Sequence, residues 1–594
     1  DRETGETQTL INTPGGAIRP QPSPDGKKLA FVKRVREKSV LHVLDIQSGK
    51  VTPIWDGLSH DMQEAWAIFG PYANFNWTPD SQSVVIWAQG KIWRVNMQTG
   101  APQNIAFNAE VSQKLTAPLR FTYKLDGDSF NAKMLRDVAT SPDGKTVIFN
   151  AVGHLWKKVG SSNPVRLTQD NVNFEYQPSF SADGKKILYT TWSDATQSNI
   201  RELDLSTGAS KTLNTEPGFY YQPRYSPNGQ FIVYIKSGGS SLTGSLNSLY
   251  RGVFTTSVNS WMPTKVGTGG EPQFTPDSQR VLYMSGGGLS KKIMSVGLHG
   301  ENPREVFNLK YVDSVQLSPD GKHVAFTELF NAYIAPLPAY GGSIELNKDT
   351  KALPITKLTD SAGPYLHWSN ANTVHWMLGN EYNSRNINSS QNAAPTRIEL
   401  TVASDRPNET IAFVGARIIT MKNAEAEQEI IESGTVLVQG TKIIAVGSSV
   451  QVPSNARVID AKGKTLFPGI VDAHAHASHF NSGVVPQQNW AYYANLAFGI
   501  TTMHDPSATT ETVFSQAELQ KTGQLVGPRI MSTGTILYGA DGDFKAVINS
   551  LDDARNTMTR MKAVGAMSVK SYNQPRRDQR QQINQAAREN NMLV

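Results

Sequence analysis

Not one cysteine occurs in the 594 residues. That excludes disulfides and thiolate metal centres, so a metal here must be held by histidine, carboxylate or a modified lysine. Long hydrophobic runs are missing too: none approaches the ~20 residues a helix needs to cross a bilayer, so no membrane span is expected. Charge of one sign is never concentrated. The net charge is +6 and the pI about 9.0, but the basic residues are scattered. The densest cluster, "QPRRDQRQQ" (574–582), reads as a solvated helix face or loop. No nucleic-acid partner is expected from that pattern. The N-terminus, "DRETGETQTL", lacks the charged-then-apolar order of a signal peptide. A first residue of Asp1 rather than Met points to a leader already removed. Histidine is scarce, with eleven in all.

What is present is the composition of a globular chain, with 39% hydrophobic and 18% charged residues. Its length is too great for one core, and two to four domains are expected. Glycine (48) and proline (32) run slightly high, which suits a chain rich in turns.

The first 400 residues repeat. "PSPDGKKLAFV" (22–32) returns as "WTPDSQSVVIW" (77–87), "TSPDGKTVIFN" (140–150), "FSADGKKILYT" (180–190), "YSPNGQFIVYI" (225–235), "FTPDSQRVLYM" (274–284) and "LSPDGKHVAFT" (317–327), with a degenerate copy at "HWSNANTVHWM" (367–377). The interval is about 40 to 63 residues, the range of four-stranded propeller blades. In each unit an apolar residue ends a strand. Ser-Pro-Asp-Gly then turns the chain, with Pro fixing φ and Gly accepting a positive one. A Val/Ile/Phe/Tyr strand follows. One such sheet cannot bury both faces, so the sheets must stack around an axis as a β-propeller. Eight anchors imply eight blades, or seven if one copy is decorative. "TQTLI" (7–11) is placed to supply a closing strand. The repeats resemble the TolB-type, or WD40-like, propeller repeats of exported bacterial proteins and tricorn-like peptidases. That resemblance implies a fold over residues 1–402 and a periplasmic or otherwise exported location, with a cytoplasmic one as the alternative.

"ASDRPNET" (403–410) is a polar linker, and short strands with Gly and Asn turns follow without SPDG anchors. We expect a small β-sandwich over 403–468. From Pro468-Gly469 the chain alternates strands with helical stretches: "GIVDAHAHA" (469–477), "GITTMHD" (499–505), "RIMSTGTIL" (529–537), "MSVKSYN" (567–573) and "NMLV" (591–594). A strand every 25 to 40 residues followed by a helix is the order of a (β/α)8 TIM barrel. Residues 469–594 would hold its N-terminal half. A barrel cut at its fifth strand has open edges and an unfilled core, so the natural protein is expected to continue past Val594.

Three of the eleven histidines fall in "IVDAHAHASHF" (470–480). Chance alone gives roughly 0.2 His-x-His pairs in a chain of this length and content, so the motif needs its context. On a strand, His474 and His476 would point to the same side, at the C-terminal end where barrel enzymes keep their chemistry. Two imidazoles there suit one divalent ion. "TLFPGIVDAHAHA" followed by "GITTMHD" resembles the strand-one signature of the amidohydrolase superfamily, and the resemblance covers about residues 410–594.

That resemblance implies a metal-dependent hydrolase acting on C–N bonds, peptide bonds included, in small-molecule or peptide substrates. Its cofactor would be two zinc ions, or manganese, iron or cobalt. Lys570, in "SVKSYN", falls where many members carry a lysine carboxylated by CO2, whose carbamate bridges the two metals. It points to the dipeptidase- or prolidase-like branch and away from the mononuclear imidazolonepropionase-like one. His504 is a substrate-binding candidate. Asp472 is read as structural and His479 as loop. The family's catalytic carboxylate and two further histidines lie on later strands, beyond Val594, so this chain carries half an active site.

For the propeller, substrate gating and partner binding are both open, and a homo-oligomer is compatible with the sequence. The alternative to an enzyme is a propeller scaffold beside an inactive or incomplete hydrolase half. A serine hydrolase behind the propeller is excluded by the lack of a Gly-x-Ser-x-Gly elbow.

Overall fold

The computed structural model describes residues 2–59, 74–114, 121–125, 127–216, 218–237, 250–338, 342–361, 363–422, 429–477, 479, 483–540 and 545–594. They form two compact units, Asp1–Pro118 and Leu119–Val594.

The SPDG turn builds seven of the eight repeats in the same way. In the first, the Ser23 hydroxyl donates to Asp25 Oδ1 (2.6 Å), which also accepts the Lys27 N–H. The Lys28 N–H then donates to Ser23 Oγ. The fourth residue is left-handed, as at Gly26 (φ 72°) and Gly144 (φ 73°). The hydroxyl contact holds carboxyls such as Asp25 and Asp143 below the usual range. Each turn joins the first two strands of an antiparallel four-stranded meander.

The first unit contains two such sheets, Ile18–Pro22 to Val51–Trp55 and Asn76–Trp77 to Pro102–Ile105. They share a core that includes Val32, Leu41, Phe75 and Ile86. The Trp77 indole N–H donates to Gln21 O at 2.8 Å. Residues 7–11 adopt no strand, so the expected closing strand does not form.

The second unit holds six repeat sheets. Their first strands are Arg136–Thr140, Phe174–Phe180, Phe219–Tyr225, Gly270–Phe274, Val312–Leu317 and His367–Asn370. These pack side by side in chain order, and the last returns to the first. The ring therefore closes with six sheets, not the eight or seven expected. The turn motif identifies a sheet but carries no information on which ring the sheet joins. Side chains make the seam: Thr140 Oγ1 lies 2.8 Å from His367 Nε2 and 2.7 Å from the Tyr382 hydroxyl. Outside the ring, Ser129–Asn131 pairs antiparallel with Thr401–Ala403 and clasps its two chain ends.

Residues 410–466 form one mixed five-stranded sheet rather than the sandwich expected. Thr410–Ile419 pairs antiparallel with Ile430–Gln439 and parallel with Arg457–Asp460 and Thr465–Leu466. Its core is small, centred on Ala416, Ile418, Val436 and Ala461. That core supports one packed face, and Ile443 and Val458 remain exposed.

Beyond it, strands Ile470–Asp472, Ile500–Asp505 and Arg529–Ser532 run parallel and adjacent. Helices α1 (Trp490–Ala497), α2 (Thr510–Lys521), α3 (Leu551–Ala563) and α4 (Arg577–Glu589) alternate with them. Parallel bridges Leu537–Ser571 and Ser568–Leu593 continue the order. The β/α alternation is thus present, and the described residues do not close a barrel. α3 starts as its sequence dictates: Ser550 and Asp553 make a reciprocal capping box, and Arg560 and Lys562 occupy the last turn.

The six-sheet ring and the helices share one core. Phe174, Tyr176, Trp192 and Phe219 pack with Val513 and Phe514 of α2 and Met558 and Met561 of α3. Each such buried side chain contributes roughly 1.5–3 kcal/mol. Polar contacts fix the docking: Arg136 Nη2 donates to Gly483 O (2.8 Å), the Tyr176 hydroxyl to Val485 O (2.8 Å), and Gln488 N to Asp194 (2.8 Å).

Candidate active site

The first parallel strand stops at Asp472, five residues before the sequence pattern predicts. The cause is local. Asp472 Oδ1 accepts the His474 N–H at 3.0 Å, an Asx turn that takes the chain out of the strand. His474 and His476 therefore lie in the following turn and loop, not on the strand. They stay adjacent all the same, with ring centroids 5.1 Å apart and planes at 77°. The His474 ring has no hydrogen-bond partner among the described residues. His476 is 54% exposed, and its Nδ1 lies 3.4 Å from Asp505 Oδ1.

Asp505 ends the second strand and is nearly buried, at 1% exposure. Its other oxygen meets His479 Nε2 at 2.9 Å. His479 is itself buried, and its Nδ1 lies 2.6 Å from the Tyr492 hydroxyl, which donates to Gln516 Oε1 at 2.8 Å. His479 is thus a member of a buried network and not a loop bystander. Sequence reasoning missed both residues. The available signal was the carboxylate next to His504 at a strand's C-terminal end. Ser478 and Phe480 lie outside the described residues.

His504 shares the second strand's end and reaches across to the Ser568 hydroxyl (Nε2–Oγ 2.8 Å). Burial, reinforced by neighbouring His474, lowers its pKa. Lys570 stands in the fourth strand position, where its carbonyl accepts the Leu537 N–H. Its ammonium lies 4.8 Å from the Tyr572 ring centroid, and Tyr572 stacks on Tyr538. It makes no ion pair or hydrogen bond with His474 or His476. The structure therefore brings together His474, His476, Asp505 and His479, with His504 beside them, and joins Lys570 to an aromatic pair instead.

Two adjacent imidazoles fit a divalent cation as neighbouring ligands. Among the described residues, however, no group of three or more His, Asp or Glu is arranged to hold one. The donor set present is a pair of nitrogens, with Asp505 fixing one ring from behind.

Residues 161–336 match the TolB beta propeller domain family. Residues 161–336 are thus a TolB-type β-propeller segment, and the relatives of the chain lie in the amidohydrolase superfamily. An imidazolonepropionase of Alkaliphilus metalliredigens is 38% identical over 80 residues, 11% of this chain and 19% of that protein. A dihydroorotase of Ehrlichia chaffeensis is 27% identical over 170 residues, 28% of this chain and 35% of that protein. The chain therefore spans about a fifth to a third of the length of these relatives. The crystal structure of TolB from Acinetobacter baumannii aligns with 50% of this chain and 63% of its own, at 17% identity and a TM-score of 0.25.

Proposed function

We propose that the chain is the propeller-bearing part of a metal-dependent hydrolase that cleaves amide or peptide bonds of small substrates. The observation that carries this is the paired imidazoles of His474 and His476 just past the C-terminal end of the first parallel strand. Relatedness to amidohydrolases supports the reaction class. His474 and His476 would hold the cation. Once bound, it would lower the pKa of a coordinated water and polarise the scissile carbonyl.

The chain's own residues prepare that site. Asp505 faces Nδ1 of His476 and so favours presentation of the other ring nitrogen outward, as carboxylates do behind metal-binding histidines. The buried Asp505–His479–Tyr492–Gln516 chain fixes the carboxylate in turn. His504, disposed by burial to stay neutral, presents a ring to the same face. In this reading a carbamate on Lys570 would supply anionic oxygens for a second ion. It requires the lysine to leave its Tyr572 contact, and it selects the dipeptidase- or prolidase-like branch. The imidazolonepropionase relatives favour the opposite branch, so Lys570 is the residue that decides between them. The TolB-like repeats favour a periplasmic location. The propeller would gate substrates or hold a protein partner.

Metal analysis of the purified protein tests the proposal. Bound zinc, manganese or a similar ion is expected, lost in His474→Ala and His476→Ala together with hydrolysis across a dipeptide panel that includes X-Pro and X-Lys members. Lys570→Met is expected to halve the metal content in the binuclear branch and leave it unchanged in the mononuclear one. Metal-free protein, with activity indifferent to His474→Ala, would establish the scaffold reading instead.

A further inference from the structure

First strands of the closed ring carry an unusual device. Four of them place a non-glycine residue in the left-handed region: Asp137 (φ 52°), Gln177 (φ 53°), Gln222 (φ 47°) and Glu271 (φ 50°). Each sits at a bulge where the strand's register shifts. The four are chained across the sheets. Gln177 N donates to Asp137 Oδ2 (3.3 Å), Gln222 N to Gln177 Oε1 (2.9 Å) and Glu271 N to Gln222 Oε1 (3.0 Å). Left-handed non-glycine backbone is costly and concentrates where function requires it. Here it turns a belt of polar side chains onto one cavity of 780 Å³, within the size range of small-molecule sites.

Further lining of that cavity comes from the hydrolase segment: the approach to and first residues of α2 (Ser507 to Glu511), Thr535, and Arg560 of α3. Arg560 is 8% exposed. Its Nη atoms donate to Ser361 O (2.8 Å) and Thr557 Oγ1 (2.6 Å), while Nε has no partner among the described residues. Glu271, also in the lining, has its Oε2 shielded from solvent and without a hydrogen bond of normal geometry, although the Ser314 side chain and the Val315 backbone lie close to the carboxylate. Arg224 and Asp137 also line the space. None of these four groups makes a direct ion pair with another, although Arg224 attracts Glu271 and Arg136 attracts Asp137. Buried charges are ordinarily paired. Four acids (Asp137, Glu271, Asp313 and Glu511) and two guanidiniums (Arg224 and Arg560) around one cavity suit a ligand that carries both signs.

We propose that this cavity binds a small zwitterion with an apolar body, of the amino-acid or dipeptide class, with its ammonium at Glu271 and its carboxylate at Arg560. Leu135, Val138, Phe330, Met377 and Met561 supply the apolar wall. The start of α2 adds the positive end of a helix dipole near the carboxylate. Glu511 in that first turn and Arg224 beside Glu271 act against that polarity. Burial pushes the Glu271 carboxyl up, and an arriving ammonium would bring it back down. The site is distinct from the histidine loop but one contact away, because Ser507 N donates to Asp505 Oδ1 at 2.8 Å. It does not rest on the hydrolase reading.

Calorimetry with L-leucyl-L-leucine tests the proposal, with EDTA present so that hydrolysis contributes no heat. Saturable binding is expected. Both N-acetyl-leucyl-leucine and leucyl-leucine amide should bind at least about tenfold more weakly, the scale of one lost charged hydrogen bond. Glu271→Gln should weaken the free dipeptide by a similar factor and erase the penalty for N-acetylation. The ligand series on the unmodified protein keeps the test decisive if Arg560→Gln loosens the fold. No saturable binding in the millimolar range would overturn the proposal. So would equal binding of the three ligands, or a Glu271→Gln variant that behaves as the parent. Failure of the metal analysis above would leave these outcomes unchanged.

Discussion

Glu518 offers a prediction whose sign runs against intuition. It sits on α2, 6% exposed, and its Oε1 accepts the Lys133 N–H at 2.7 Å and the Met134 N–H at 3.3 Å. It thereby fastens the chain entering the six-sheet ring to the hydrolase helices. Deleting such a contact would ordinarily destabilise. Burial, however, pushes the carboxyl up to about 7, against the two N–H groups and nearby Lys521. From a starting value of 4.5 that is roughly 2.5 pH units, or about 3 kcal/mol at 1.36 kcal/mol per unit. In the window between 4.5 and 7 the folded protein holds a proton that the unfolded chain has released. Stability is therefore full below pH 4.5 and is lost as the pH rises through 7.

Glu518→Gln mimics the neutral acid, because its amide oxygen can keep both N–H contacts. It is expected to be neutral at pH 5 and to stabilise at pH 8.5 by ~1–3 kcal/mol, the lower end allowing for lost attraction to Lys521. Guanidinium unfolding followed by tryptophan fluorescence at the two pH values would show it. The midpoint of the same transition should be compared, since a chain of several units need not unfold in one step. A variant that unfolds earlier than the parent at pH 8.5, or gains equally at both pH values, would refute the reasoning.

The ring seam should respond to acid with the opposite slope. Burial pushes His367 down to about 4 and His375 to about 2, so both stay neutral while the unfolded chain protonates. Their contribution is lost as the pH falls below about 6.5. The melting temperature should drop between pH 7 and 4.5, and drop less in His375→Gln. Tyr492→Phe removes the hydroxyl that links His479 to Gln516. It should cost about 1–3 kcal/mol by leaving a buried polar group unsatisfied, read as a lower denaturation midpoint. Gly379 is left-handed (φ 60°), and a Cβ there would lie 2.5 Å from the Ala563 carbonyl oxygen. Gly379→Ala should therefore destabilise by at least ~1 kcal/mol, and proteolysis near α3 should accelerate.

The repeat sheets were legible because their signal is local. Seven turns carry Ser or Thr, Asp or Asn and a left-handed fourth residue within a few positions, and each folds from its own hydrogen bonds. The ring was not legible. Its closure depends on Thr140 meeting His367 and Tyr382, contacts spanning more than two hundred residues that leave no periodic trace. The parallel strands were found for the same local reason, and their limits were missed where one side chain intervened. Period-two reasoning placed His474 and His476 on a strand, whereas Asp472, two positions upstream, bends the chain into a turn. The residue set aside as structural decides how the metal-binding candidates are presented.

That bend also explains why the neighbours of the histidines count for more than their spacing. A strand would have fixed both rings through its ladder. A turn gives them no such support, so their orientation has to come from side chains. Asp505 supplies it for His476, and the buried His479, Tyr492 and Gln516 supply it for Asp505. His474 has no equivalent carboxylate partner among the described residues and packs against the His476 ring. In the proposed site the third histidine of the motif, His479, would act through position rather than coordination. On this account Asp505→Asn should weaken metal retention more than His479→Gln, which keeps a hydrogen bond to one of its two neighbours. Both losses should be read as dissociation constants from chelator competition, the Asp505→Asn loss within the 10–100-fold range of outer-shell changes. Equal retention of metal by Asp505→Asn and the parent would show that the carboxylate positions nothing.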